Sequence, residues 1–184
     1  MVADADARVV AVCRAGEHAF SKPDVAHIEL VVGLGVAGDA HAGEAVQHLS
    51  RVAVDPTQPN LRQVHLIHAE LLDDLAGTGF AVAPGDLGEN ITTRGIDLLG
   101  LPADTRLAIG PTTVLRVTGL RNPCAQIERF FPGLLAQVVE RQPDGVIVRK
   151  CGVMAVVDAD GRIAPGDGVV VALPPLPHRP LEPV

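Results

Sequence analysis

The chain has 184 residues, 47% hydrophobic and 20% charged. That composition excludes a disordered chain and suits one domain of ordinary size. A formal net charge of -7 argues against a non-specific nucleic-acid binder, which needs a basic face to displace counterions. Four Phe and no Tyr or Trp leave the core to aliphatic side chains and remove the usual base-stacking platform.

Only Lys22 and Lys150 are lysines; the other basic residues are arginines, the better fork for phosphate or carboxylate. A local anion pocket on an acidic protein therefore stays open. The three cysteines, Cys13, Cys124 and Cys151, are too few for a disulfide-stapled scaffold.

Met1–Asp6 carries acids where a secretory signal would carry basic residues. The apolar stretch Val25–Val36 is broken by His27 and Glu29 and is too short to span a membrane. A soluble, cytoplasmic protein is expected. Strands are predicted at Arg8–Arg14, Ile28–Val32, Gln63–Ile67, Arg106–Ile109, Thr113–Thr118, Val146–Arg149, Val153–Val157 and Val169–Leu173. These are short, rich in β-branched residues and bounded by Gly, Pro and Asp. Arg51–Asn60 reads as a surface loop. A helix is predicted over Ala69–Ala76, with Leu71, Leu72 and Leu75 on one face. From Gln126 to Gln142 apolar residues recur at helical spacing, but Pro132 cannot sit mid-helix without cost. A short turn and then a helix from near Pro132 is expected there. The tetrapeptide APGD occurs at Ala83–Asp86 and Ala164–Asp167, each a type II turn signal. The pattern is mainly β with a few helices, a sandwich or barrel. A single domain over residues 1–173 is expected, followed by a Pro-rich tail, 174–184, extended over the surface and unable to continue a sheet or helix.

Cys124 follows a strand and precedes the helical run, with Arg121 three residues earlier. A helix N-terminus favours thiolate, so this cysteine is a candidate for chemistry; Cys13 and Cys151 read as packing residues. Asp39-Ala40-His41 follows Gly33, Gly35 and Gly38, whose spacing does not fit a dinucleotide site. His41, His48, His65 and His68 have no compact zinc spacing; His65 and His68 fit a strand end and the start of the next helix. Gly85–Gly95 offers backbone N–H groups, an amide, hydroxyls and a guanidinium, and could hold a phosphorylated or heteroaromatic ligand, or be a turn and a short strand.

Five segments in order resemble the MOSC domain, the family named for the C-terminal domain of molybdenum cofactor sulfurases. They are Gly38-Asp39-Ala40-His41-Ala42-Gly43; Arg62-Gln63-Val64; Pro84-Gly85-Asp86-Leu87-Gly88-Glu89-Asn90-Ile91-Thr92-Thr93; Arg121-Asn122-Pro123-Cys124; and Gly161-Arg162-Ile163-Ala164-Pro165-Gly166-Asp167. The resemblance runs from about Gly33 to Leu173 and is to a short stand-alone bacterial form. It implies a MOSC-type closed β-barrel and binding of the molybdenum cofactor (molybdopterin). Cys124 matches the family's proposed metal ligand or sulfur carrier. Arg62, Arg121, Asn122, Asn90, Thr92 and Thr93 match positions expected to hold the anionic cofactor. Family members often carry an aromatic where this chain has Met154, and Cys151 stands beside the glycine of the same strand.

The activity so implied is reduction of N-hydroxylated small molecules at a Cys-ligated molybdenum, with electrons from an external reductase. The alternative is a sulfur or cofactor carrier that uses Cys124 as a persulfide or ligand site and serves a sulfur-transfer partner. A third is a binding module for another anion, with Cys124 structural.

Overall fold

The computed structural model describes residues 7–184; Met1–Asp6, read above as lacking a secretory signal, lies outside the described residues. In chain order the elements are β1 (Arg8–Val12), β2 (Ile28–Val31), β3 (Gly35–Val36), α1 (Leu49–Val52), β4 (Val64–His68) and α2 (Ala69–Gly77). There follow β5 (Ile91–Arg94), β6 (Arg106–Ile109), β7 (Thr113–Leu120), α3 (Ala125–Phe130) and α4 (Leu134–Val138). The last are β8 (Val139–Arg141), β9 (Ile147–Arg149), β10 (Val153–Ala159), β11 (Gly161–Ile163) and β12 (Val169–Ala172).

Seven strands form one sheet in the order β1-β5-β4-β10-β7-β6-β12. Its two edges nearly meet. Arg8 bridges Gly168, Val9 N–H donates to Asp167 O at 2.8 Å, and Val169 N–H donates to Ala7 O at 2.9 Å. This near-closure removes most of the exposed edge and makes the sheet a barrel, as the resemblance implies. Smaller sheets, β11-β2-β3 and β8-β9, flank it.

The interior is aliphatic. Val9, Val64, Leu66, Ile91, Leu107, Ile109, Leu115, Val117, Val153, Ala155 and Val157 belong to its buried cluster. Strand β7 alternates buried and half-buried residues along its whole length, the period expected of a wall with one face inward. A second cluster lies outside the barrel, where α2, α3 and α4 cover Ile67, Leu87 and Cys151. Phe20, Phe80 and Phe131 pack there, and Phe130 stacks on Phe20 at 5.6 Å. All four phenylalanines thus belong to the helical layer. Strands β4 and β10 are buried on both faces because they separate the two layers.

Both APGD segments are tight turns, with Gly85 at φ 86° and Gly166 at φ 94°. In each, the Asp carboxylate accepts from the N–H of the leading Ala at 2.8 Å. A side chain at Gly85 would strike Lys22 O and the Cys13 thiol, so this turn is also a point of close approach.

Three expectations need correction. The segment before Pro132 is helical (α3) rather than a mere turn, and α4 is only five residues long. The β-branched pair Val138-Val139 ends α4, and β8 begins at Val139. The loop over Arg51–Asn60 starts inside α1. The tail does extend pairing: Pro183 bridges Leu120, Leu120 N–H donates to Glu182 O at 2.8 Å, and Val184 N–H to Leu120 O at 3.3 Å. Proline lacks the donor, but its two neighbours supply the ladder bonds. Among the described residues, no helix is long and apolar enough to cross a membrane.

Candidate functional site

A cavity of about 510 Å³ opens on the outer face of the barrel beneath α3. Its floor is His65 from β4 and Met154 from β10, adjacent antiparallel strands paired at those two residues. Arg121 enters from the end of β7, and Cys124 from the loop that leads into α3. Lys22, His41, His48 and Arg62 come from the loops on the opposite side. Arg62 and Arg121, 59 positions apart, therefore face the same cavity as Cys124, because the strands beside them, β4 and β7, both flank β10.

The cavity is cationic. Lys22, Arg62, Arg121 and Arg129 line it, and no carboxylate is among its described lining residues. Arg62 Nε and one terminal nitrogen of Arg121 are buried without a hydrogen-bond partner. Burial, followed by the charges of Arg51 and Arg121, lowers the Arg62 pKa to about 10. Unsatisfied buried N–H groups on guanidinium are costly, and an anion is the kind of partner they lack.

Cys124 is the exposed cysteine; Cys13 and Cys151 are buried. It caps α3 with extended backbone and its side chain makes no cap bond; its Sγ lies 3.4 Å from Gln126 Oε1. Burial, reinforced by Glu89, pushes the Cys13 thiol up to about 12. Burial pushes Cys151 to about 11, against the charge and hydrogen bond of Arg121. The thiol that is free to react is therefore the one on the cavity.

Asp39 organises the loop side of the cavity. Its Oδ2 accepts from Lys22 Nζ at 2.8 Å and Asn90 Nδ2 at 3.0 Å. Its Oδ1 accepts from the His41 backbone N–H at 2.9 Å and lies 3.1 Å from His41 Nδ1. Burial would raise this carboxyl, but His41 and the Lys22 ammonium outweigh it and hold Asp39 well below the usual carboxylate range. The His41 ring meets His48 at 4.5 Å and His18 at 5.1 Å. Burial and the Arg62 charge lower His48 to about 3, so its ring is neutral at neutral pH.

Of the residues singled out in the sequence, the fold brings Arg62, Asn90, Arg121 and Cys124 to the cavity. Asn90 has its amide committed: Oδ1 accepts from His65 N–H at 3.2 Å, and Nδ2 donates to Cys13 O and to Asp39. Thr92, Thr93 and Asn122 are not among the lining residues. Both threonines are fully buried in β5, between β1 and β4, with Thr92 Oγ1 bonded to Glu89 at 3.3 Å. Asn122 faces outward and accepts from Arg149 Nε at 3.1 Å. The histidines divide. His41, His48 and His65 join the cavity, His65 with its Nε2 2.8 Å from Cys151 O, whereas His68 caps α2. Sequence reasoning did not select Lys22, His18, Gln126 or Arg129. For Lys22, one of only two lysines in an arginine-rich chain, that rarity was the available signal.

A nearly closed barrel is the fold that the five sequence segments imply. The MOSC domain model matches residues 39–170, well over half of the chain, and the chain belongs to the MOSC domain family. That family is associated with the molybdenum cofactor. The YuaD protein of Bacillus subtilis is similar in structure at a TM-score of 0.72 and 24% identity, over 90% of this chain and 94% of that one. YiiM from Geobacillus stearothermophilus matches at 0.61 and 17%, over 90% and 75% of the two chains. YiiM from Escherichia coli matches at 0.57 and 20%, over 91% and 71%. At these identities the likeness is one of fold. No curated protein matches the sequence.

Proposed function

We propose that this chain binds the molybdenum cofactor in the cavity and reduces N-hydroxylated small molecules there, with Cys124 as the protein ligand to molybdenum. The observation that carries the reading is the pair of buried, partnerless guanidinium nitrogens of Arg62 and Arg121 on the same cavity as the exposed Cys124 thiol. The donor set fits the group. Among the described residues, no cluster of three or more His, Cys, Asp or Glu is arranged to hold a metal ion. A metal held here must bring most of its own ligands, as a dithiolene-bound metal does, and take one soft thiolate from the protein.

When bound, the cofactor supplies the two-electron redox change and the metal centre. The chain supplies the rest. Arg62 and Arg121 hold the anionic group with charge-assisted bonds, and Lys22 adds positive potential from behind. With neither Tyr nor Trp in the sequence, a pterin would lie against Met154, Leu87 and guanidinium or backbone groups. Electrons come from an external donor. Domain limits of 1–173, with 174–184 as an appended tail, remain part of this proposal.

Metal analysis of protein purified from a host that makes the cofactor, coupled to an assay of N-hydroxylated base reduction, tests the reading. Equimolar molybdenum and turnover are expected. A protein free of molybdenum and without turnover overturns it. The exposure of Cys124 favours one second reading, in which the thiol passes a persulfide sulfur to a client. A +32 mass on Cys124, lost in Cys124→Ser, together with no turnover, would select it.

A further inference from the structure

We propose that His41 is the proton donor to the oxygen that leaves the substrate, with Asp39 as its positioning residue. This rests on the reductive reading above.

An N-hydroxylated amine takes up two electrons and two protons to give the amine and water. The N–O bond breaks, nitrogen gains the electron pair supplied by a one-electron donor acting twice and takes one proton from solvent, and the departing oxygen takes the other proton to leave as water. The cavity offers few acids for that task. Its guanidinium groups do not release protons at neutral pH. The Lys22 ammonium is tied to Asp39 at 2.8 Å. His48 is neutral, and His65 is fully enclosed with Nε2 against a backbone carbonyl. His18 is exposed, at the rim.

His41 is placed differently. An ionised carboxylate only accepts, so the 3.1 Å contact with Asp39 fixes a proton on Nδ1 and leaves Nε2 as the nitrogen not engaged by Asp39. Asp39 cannot turn away, because Lys22, Asn90 and the backbone N–H of Ala15 and His41 all hold it. The backbone of His41 is pinned as well, since its carbonyl accepts from Asn60 Nδ2 at 3.0 Å. Around the ring stand Asp39, Lys22, His18 and His48, with Arg62 and Arg121 on the adjoining wall. In the imidazolium form His41 gives its Nε2 proton to the leaving oxygen and returns to the Nδ1–H neutral ring. Asp39 stabilises the cation before transfer and the correct tautomer after it.

The test uses molybdenum-loaded protein, dithionite-reduced methyl viologen as donor and an N-hydroxylated amidine as substrate. His41→Gln is expected to keep the wild-type molybdenum content and to lower kcat by about 10²-fold. It should also lose the alkaline limb of the pH profile. Asp39→Asn is expected to move that limb to lower pH; where that variant fails to fold, His41→Gln carries the test. Independently of turnover, ring 15N shifts of the cofactor-free protein should show the neutral His41 proton on Nδ1. An active wild type with an equally active His41→Gln, or a neutral ring protonated on Nε2, overturns the role of His41 alone. A wild type without molybdenum or turnover overturns the reductive reading and this proposal with it.

Discussion

Lys22 Nζ and Asp39 Oδ2 are 2.8 Å apart, with side chains 3% and 2% exposed. A pair so enclosed joins the segment after β1 to the segment after β3, and so closes the loop side of the cavity. Breaking a buried pair strands the remaining charge, at a cost of about 3–5 kcal/mol. Lys22→Met is expected to lower unfolding free energy by that order in urea titration. An effect under about 1 kcal/mol, the range of exposed pairs, would show that Asp39 is solvated in solution.

The same pair should set an acid limb. Asp39 is held below its unfolded value, near about 3.9, so its contribution is complete above that pH and is lost as pH falls through the folded value. Urea unfolding from pH 7 down to pH 2 is expected to show the gap between wild type and Lys22→Met narrowing below about pH 4. A gap that stays constant with pH would mean that Lys22 acts through packing alone.

The barrel was legible where strands announce themselves by β-branched runs: the eight predicted segments all contain strands. Strands β3, β8 and β11 escaped because two or three residues carry no period. Strand β5, Ile-Thr-Thr-Arg, was read as part of a ligand loop because its hydroxyls look solvent-bound. It lies instead between β1 and β4 and under α2, where Gly95 N–H donates to Glu70 at 2.8 Å and Arg94 pairs with Asp73 at 2.8 Å. Burial of both its faces removes Thr92 and Thr93 from the cavity. Cys124, Arg121 and Arg62 were legible through motifs, as were Asp39 and His41, but the link of Lys22 to that pair was not. These three lie in loops that meet only once the barrel nearly closes.

Cysteine reactivity should follow burial. Cys13 and Cys151 are enclosed, with thiols pushed up to about 12 and about 11. At pH 8 iodoacetamide is expected to modify Cys124 alone in the native protein, and all three thiols after denaturation. Native Cys124→Ser should stay unlabelled on the same time scale by intact mass. Rapid labelling of Cys151 would instead show that the helical layer covering it opens.

The two partnerless guanidinium nitrogens, Arg62 Nε and one terminal nitrogen of Arg121, predict where anion affinity resides. Arg121 is buried and Arg62 half-buried with its Nε enclosed, whereas Arg129 on α3 is exposed. A charge-assisted hydrogen bond is worth about 1.5–3 kcal/mol, so losing one should weaken binding by about 10- to 100-fold. Calorimetry of the cofactor-free protein with pyrophosphate is expected to show that loss for Arg62→Met and for Arg121→Met. Arg129→Met should change affinity only slightly, because an exposed charge is screened by salt. The Arg121 variant should also raise the Cys151 thiol further, since Arg121 is the group that opposes its rise. Equal weakening by all three variants would mean that the cavity attracts anions by diffuse charge rather than at a built site.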